Sequence, residues 1–221
     1  MDETMTKLAF DVGGNHGQSI NVLLTKGYDK ILSFEANPIL AQALQERYSE
    51  DSRVVIYNNI VCEHGNGKEF YISTTADGIS TTKKEWIFES RFRNTQQWLK
   101  DIEGKPLIIP SVTLDQQIEI HGVPDFIKID VEGGELEVFK GLHSFVPKIA
   151  FEWTEELWDK HTAPCVELLK DLGYSRFAYQ EADDMMQEPE DKEYSSWEDS
   201  KIHSIIDKER YEKWGLIWAK K

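Results

Sequence analysis

The chain has 221 residues, 40 acidic against 25 basic, for a formal charge of −15. Its 40% apolar content and seven Trp supply one sizeable core, which excludes wholesale disorder. The acidic balance also argues against nucleic-acid and anionic-membrane partners, because both attract clusters of Lys and Arg.

In chain order, Leu8-Ala-Phe-Asp-Val12 is a short apolar run ending in glycines, the pattern of a buried parallel strand. Ile20, Leu23 and Leu24 recur at helical spacing, and Gly27 falls where a helix C′ glycine belongs. Ile31–Phe34 is the second strand. Asn37-Pro38 starts a helix whose stripe is Leu40, Leu44 and Tyr48, and Val54–Tyr57 is the third strand. Phe70–Ile72 has strand character, whereas residues 73–106 are mostly aperiodic and read as a lid insertion. Order returns with Leu107–Ile109 and Val112, then a short helix opened by Thr113-Leu-Asp115. Phe126–Asp130 is a fourth core strand, and a helix from Gly133-Gly134-Glu135 turns Leu136, Phe139 and Leu142 inward.

Ile149–Phe151 is the fifth strand. Thr162 stands where it would cap a helix with Cys165, Leu168, Leu169 and Leu172 inward and Gly173 at its end. Arg176–Tyr179 and Leu216–Trp218 suit an antiparallel pair. Between them, residues 181–199 carry nine acids against Lys192 alone, the composition of a solvated loop, and residues 181–215 read as an acidic loop before the last strand. The alternation of strand and helix calls for a mostly parallel sheet with right-handed crossovers, in a single domain over residues 1–221.

No window approaches the ~18 consecutive apolar residues of a spanning helix. The opening MDETMTKLAF lacks the basic and apolar regions of a signal peptide. Cys62 and Cys165 form no CxxC pair and fit no metal spacing, so they read as reduced thiols, and the cytoplasm is the expected compartment.

The strongest chemical signal is Asp11-Val-Gly13-Gly14-Asn15-His16-Gly17, between the first strand and first helix. Glycines there let the backbone turn sharply and approach a ligand, and the helix behind offers free N–H groups. Glu35 ends the second strand, where an acid accepts the ribose hydroxyls of a nucleoside. A dinucleotide fingerprint ending at Gly17 needs glycine at position 12, which is Val12, so a nicotinamide oxidoreductase is disfavoured. The second cluster, Asp130-Val-Glu132-Gly133-Gly134-Glu135, stands at the carboxyl end of the fourth strand. Two carboxylates there could deprotonate a hydroxyl or bind a divalent cation; the plain alternative is that Asp130 caps the glycine turn and Glu132 is solvated.

Taken together, Phe10–Gly17, Phe34-Glu-Ala-Asn-Pro38, Asn59–Gly67, Ser111-Val-Thr-Leu-Asp115 and Ile127–Glu137 resemble the FkbM family of methyltransferases over roughly residues 8–152. Gly14 replaces a usual Ala, and Val61 replaces a usual small Ala. The resemblance implies a Rossmann-like class I methyltransferase: α/β, a mostly parallel seven-stranded sheet with helices on both faces and an antiparallel last strand. It implies S-adenosyl-L-methionine (SAM) as cofactor, held by Asp11, Gly13, Gly14, Asn15, Gly17, Glu35, Ala36, Asn59, Val61 and Asp130. The implied reaction is methyl transfer to a hydroxyl, often on a sugar or sugar-derived small molecule. Asp130 and Glu132 are then the candidate catalytic bases, ahead of His16.

Mg²⁺ at Asp130 stays open, since carboxylate sites leave no His or Cys trace. Glu152 and Trp153 end the fifth strand at the same edge and are candidates for the acceptor pocket, with Trp153 alternatively in the core. Trp86, Phe88, Phe92 and Trp98 are candidates to stack on a sugar ring or to pack ordinarily. His64, His121, His143, His161 and His203 lie in separate segments and read as surface or packing residues. A scaffold that keeps the fold without catalysis is the alternative function, with the acidic 181–199 segment as its docking surface.

Overall fold

The computed structural model describes residues 6–73, 76–91, 106–182, 186–207 and 212–221. Alternation along the first strand sets the layers. In β1 (Leu8–Val12), Leu8, Phe10 and Val12 pack to one side, while Ala9 packs to the other with Ile20, Leu23 and Leu44. Those three belong to α1 (Gln18–Thr25) and α2 (Pro38–Arg47), which cover that face. Asn37 caps α2 as expected: its side-chain oxygen accepts from Ile39 N at 3.1 Å, and Pro38 fills the first turn.

Parallel pairing carries the sheet from β1 to β2 (Lys30–Phe34) and β3 (Val54–Tyr57). Short segments follow: β4 (Ile60–Val61), β5 (Lys68–Phe70), α3 (Lys84–Glu89), β6 (Leu107–Ile109) and β7 (Ser111–Val112). β4 pairs with β7, and β5 with β6. The strand expected at Phe70–Ile72 thus sits slightly earlier, and Tyr71 instead bridges Thr81. Within the aperiodic stretch, α3 buries Trp86 and Ile87 against Tyr71 and Leu157.

The second half supplies α4 (Leu114–His121), β8 (Phe126–Ile129), α5 (Glu135–Lys140), β9 (Lys148–Thr154), α6 (Ala163–Asp171), β10 (Arg176–Glu181) and β11 (Trp214–Lys220). Thr113 opens α4 with a reciprocal capping box to Gln116. The seven strands lie in the order β10-β11-β9-β8-β1-β2-β3, and only β11 runs against its neighbours. The fold implied by the sequence is the fold observed. Leu114, Val138, Phe139 and Leu169 cover the face opposite α1 and α2, where Phe139 meets Phe151 edge-on at 5.1 Å.

One expected cap is absent. A π-turn over Trp158–Thr162 runs straight into α6, so Thr162 already has helical φ and ψ of −63° and −52° and makes no side-chain capping bond. The backbone ahead of α6 is already helical, and there is no break at Thr162 for a cap to close.

The segment before β11 is tethered by its apolar residues. Tyr194, Trp197 and Ile202 are buried, while Asp191 stays exposed and accepts from Arg176 and Lys220, whose bonds pull its carboxyl down to about 2. Among the described residues no helix is long and apolar enough to cross a membrane.

The π-turn also buries His161, where desolvation and then Lys83 hold its pKa down to about 4 from 6.5. Between those pH values the unfolded chain takes up a proton that the folded chain refuses. Stability should therefore fall as pH drops through that window, by about 2 kcal/mol once partial solvent contact is discounted. Urea unfolding midpoints measured from pH 7 to pH 4 should flatten in a His161→Gln variant; an unchanged slope contradicts the assignment.

Candidate active site

Register brings three strand ends together. Val12 pairs with Phe34 on one side and Ile129 on the other, so the residues that follow, Gly13, Glu35 and Asp130, emerge at one sheet edge. Gly13 adopts φ +86°, its N–H donates to Phe34 O at 2.9 Å, and an added Cβ would lie 1.8 Å from Asp130 O. Only glycine allows this approach.

Glu35 ties that loop to the next helix. Its carboxylate accepts from Asn15 N and from Asn37 N, each at 2.7 Å, and its residue is 6% exposed. Burial raises its pKa while the two backbone N–H groups oppose the rise. Each oxygen retains a further lone pair.

Beneath the loop lies a charged group that sequence reasoning passed over. Lys128 is 3% exposed; its Nζ donates to Gly13 O at 2.9 Å and stands 3.2 Å from Asp130 Oδ2 and 3.8 Å from Asp11 Oδ1. Burial works to lower the Lys128 pKa, but Asp130 and Asp11 outweigh it, so the ammonium form is held. Asp11 is fully buried, accepts from Ser33 Oγ at 2.8 Å, and has its pKa raised by burial against the pull of Lys128. The clue in the sequence was one Lys in the otherwise apolar run Phe126–Ile129.

Two cavities open at this edge. The first is lined by Gly13, Asn15, Glu35, Ala36, Asn59, Val61 and Asp130 among others. The second is lined by Gly14, Trp86, Arg91, Lys128, Glu152, Thr154 and Trp214 among others. Gly13, Asn15, Gly78, Asp130 and Glu132 border both, so Asp130 and Glu132 stand on the wall between them.

Eight of the ten residues first assigned to the cofactor therefore line one cavity or both. Asp11 and Gly17 line neither. Asp11 sits under the loop because strand alternation turns it inward beside Ala9, and Gly17, at φ +81°, is packed against the Tyr48 hydroxyl.

The acidic cluster is larger than the sequence suggested. One oxygen each of Asp130, Glu132 and Glu152 lies within 4.8 Å of the others. Burial pushes the Glu132 carboxyl well up, helped by Asp130 and Glu135. Glu152 shifts the same way, first from burial and then from Glu132. Glu135 accepts from Val131 N at 2.9 Å and is raised to about 7, chiefly by burial.

Other candidates fall elsewhere. Trp153 is fully buried, packed at 6.0 Å against Trp158, because alternation turns it away from the side Glu152 faces. His16 is exposed and lines neither cavity. Trp86 reaches the second cavity, Phe88 is 53% exposed and does not, and Phe92 and Trp98 lie outside the described residues.

Across the second cavity, Arg91 closes a bidentate fork on Glu156, with Nε–Oε1 and Nη2–Oε2 both 2.8 Å, and reaches Glu212 O and Lys213 O. Glu155 accepts from Asp207 N, Glu212 N and Lys213 N. These two acids fix the rim on which Trp214 stands. Their partners, Arg91 and residues 207–213, come from distant segments with no shared motif, so only the fold reveals the arrangement.

Among solved structures, precorrin-6y C5,15-methyltransferase from Geobacter metallireducens GS-15 superposes with TM-score 0.46 at 13% identity, covering 98% of this chain and 80% of that one. An rRNA methylase from Streptococcus thermophilus gives 0.46 at 9% identity over 97% of this chain and 86% of that one. A SAM-dependent O-methyltransferase from Thermotoga maritima gives 0.44 at 11% identity over 98% and 61%. None reaches 0.5, so none assigns a substrate. No curated protein matches the chain. The profile described as "Methyltransferase FkbM domain" matches residues 11–188, and with that span the chain belongs to the FkbM methyltransferase family.

Proposed function

We propose that this methyltransferase binds SAM across the carboxyl ends of β1, β2 and β8 and methylates a hydroxyl of a sugar or sugar-containing small molecule. The observation that carries the proposal is the pair of cavities meeting at Gly13, Asn15, Asp130 and Glu132. One cavity suits the cofactor, the other the acceptor, and the shared wall is where a methyl group would pass.

The residues present fit the cofactor. Glu35 keeps lone pairs for a ribose diol, and Ala36, Asn59 and Val61 line the cavity beyond it. Asn15 Oδ1 is buried without a hydrogen-bond partner among the described residues, an acceptor for the amino group of the amino-acid end. Gly13 and Gly14 bring backbone close to that end, while Asp11 and Gly17 hold the loop in shape. When bound, the cofactor supplies a methyl group activated on a sulfonium.

The protein's own part is to position the acceptor and take its proton. Asp130 is paired with Lys128, which fixes it in place. Glu132 has no cation within ion-pair distance among the described residues, so it is the better proton acceptor. Trp86 and Trp214 give the second cavity aromatic surface, and Glu152 and Thr154 give it acceptors for hydroxyls, a mixture that suits a polyhydroxylated ring.

Transfer from methyl-labelled SAM to a panel of glycans, hydroxylated small molecules, amines and RNA tests the reading. Product on a hydroxyl of a sugar-bearing compound is expected; labelling confined to amines or RNA contradicts it. Cofactor binding with no turnover on any acceptor favours a scaffold instead. A Glu35→Gln change should weaken SAM at least about tenfold, or ~1.4 kcal/mol, because its amide N–H₂ faces a backbone donor. Calorimetry reads this directly, and an affinity unchanged within twofold removes Glu35 from the cofactor site.

A further inference from the structure

The second cavity is lined by three carboxyl groups, Asp130, Glu132 and Glu152, against two cationic side chains, Lys128 and Arg91. Asp130, Glu132 and Glu152 each place an oxygen within 4.8 Å of the others. Lys128 is shared between Asp130 and Asp11 and is further engaged by Gly13 O. Arg91 is committed to Glu156 and to two backbone carbonyls. Among the described residues, Glu132 and Glu152 are therefore left with no ion pair.

Glu152 supplies a second, separate observation. It is 7% exposed, it lines the cavity, and its Oε2 has no hydrogen-bond partner among the described residues. Buried carboxylate oxygens are costly to leave unpaired, and native structures pair nearly all of them. An unpaired one facing a cavity points to a partner brought in from outside.

From this arrangement we infer that Asp130, Glu132 and Glu152 together bind one divalent cation, Mg²⁺ or Mn²⁺, which chelates the acceptor through two neighbouring oxygens. The inference rests on the methyltransferase reading above and deepens it by naming the acceptor class: a vicinal diol or a hydroxy acid. In an octahedron of ~2.1 Å bonds, ligand oxygens stand ~3.0 to ~4.2 Å apart, and ~2.4 Å bonds extend this to ~4.8 Å. The three carboxylates are thus close to ligating separation as they stand. A donor set of oxygen alone, with no thiolate or imidazole, suits a hard cation. Three carboxylate ligands also leave positions open for water and for the acceptor, which a single isolated hydroxyl would fill only in part.

Mn²⁺ titrated into the whole chain, with and without S-adenosylhomocysteine, tests this by loss of the free-ion electron paramagnetic resonance signal. One Mn²⁺ per chain is expected, displaced by excess Mg²⁺. Glu152→Gln should weaken Mn²⁺ at least about tenfold while S-adenosylhomocysteine affinity stays within about twofold. Wild-type protein with no saturable Mn²⁺ binding below about 1 mM overturns the proposal whatever the variant does. So does a Glu152→Gln variant that binds Mn²⁺ as wild type. Saturation by an alkylammonium ion without Mn²⁺ binding makes the cluster an amine pocket and likewise overturns it. S-adenosylhomocysteine binding is recorded on the same samples, so loss of the cofactor reading is told apart from loss of the cation site.

Discussion

Glu132→Gln lowers kcat by about 10²–10⁴-fold while leaving SAM affinity within about threefold. The amide keeps the size of the side chain and its place on the wall between the cavities, but it cannot take a proton. Asp130 cannot replace it, because Lys128 holds that carboxylate 3.2 Å away and shares itself with Asp11. Steady-state rates on the best acceptor from the labelled-methyl panel, with cofactor affinity from calorimetry, separate the two effects. Glu132 is also one of the proposed cation ligands, so saturating Mn²⁺ should restore only the part of the loss due to weaker cation binding, and the part that persists reports the proton-accepting role. A Glu132→Gln enzyme within fivefold of wild type would move the proton-accepting role elsewhere.

Lys128→Met should destabilise the fold by about 3–5 kcal/mol. The lysine is 3% exposed and stands between Asp11, itself fully buried, and Asp130. Removing it leaves a buried carboxylate with the hydroxyls of Ser33 and Ser19 but no counter-ion, and it deletes the bond to Gly13 O that pins the loop. Methionine fills a similar volume, so the cost is electrostatic rather than a cavity. Adding Asp11→Asn to Lys128→Met should recover part of the loss, since the uncompensated charge goes too. Urea unfolding of the two single variants and the double variant closes that cycle. A loss under about 1 kcal/mol, or strict additivity, would show that Lys128 is not the counter-ion described here.

The sheet was readable because its central strands are short apolar runs bounded by glycine, proline or asparagine, as at Leu8–Val12 and Asn37-Pro38. Part of the first cavity was readable because Gly13, Asn15, Glu35 and Ala36 come from two loops, Gly13–Gly17 and Glu35–Asn37, each contiguous in sequence. Side-chain direction was harder. Asp11 looked like a ligand-facing acid, yet its place one residue inside the strand end turns it under the loop toward Ser33 and Lys128. Glu152 and Trp153 were inseparable as neighbours until pairing of β9 with β8 and β11 sent one to the cavity and the other to the core.

The second cavity was least legible. Arg91, Glu155, Glu156 and Trp214 meet only through the fold, and no local period marks any of them. Thr162 misled because a threonine before Ala-Pro has the composition of a cap, while the π-turn ahead of it satisfies the backbone by another route. Glu188, Glu190, Asp191, Glu193, Glu198 and Asp199, between β10 and β11, were readable as exposed. Their apolar companions Tyr194, Trp197 and Ile202, which pin the segment to the core, were not.

A structure of the protein with S-adenosylhomocysteine bound is the most direct test of where the cofactor sits. The ribose is expected on Glu35, the amino-acid end beside Asn15 and Gly13, and the sulfur turned toward the wall of Asp130 and Glu132. A molecule bound away from Glu35, or with its sulfur turned from that wall, would contradict the account.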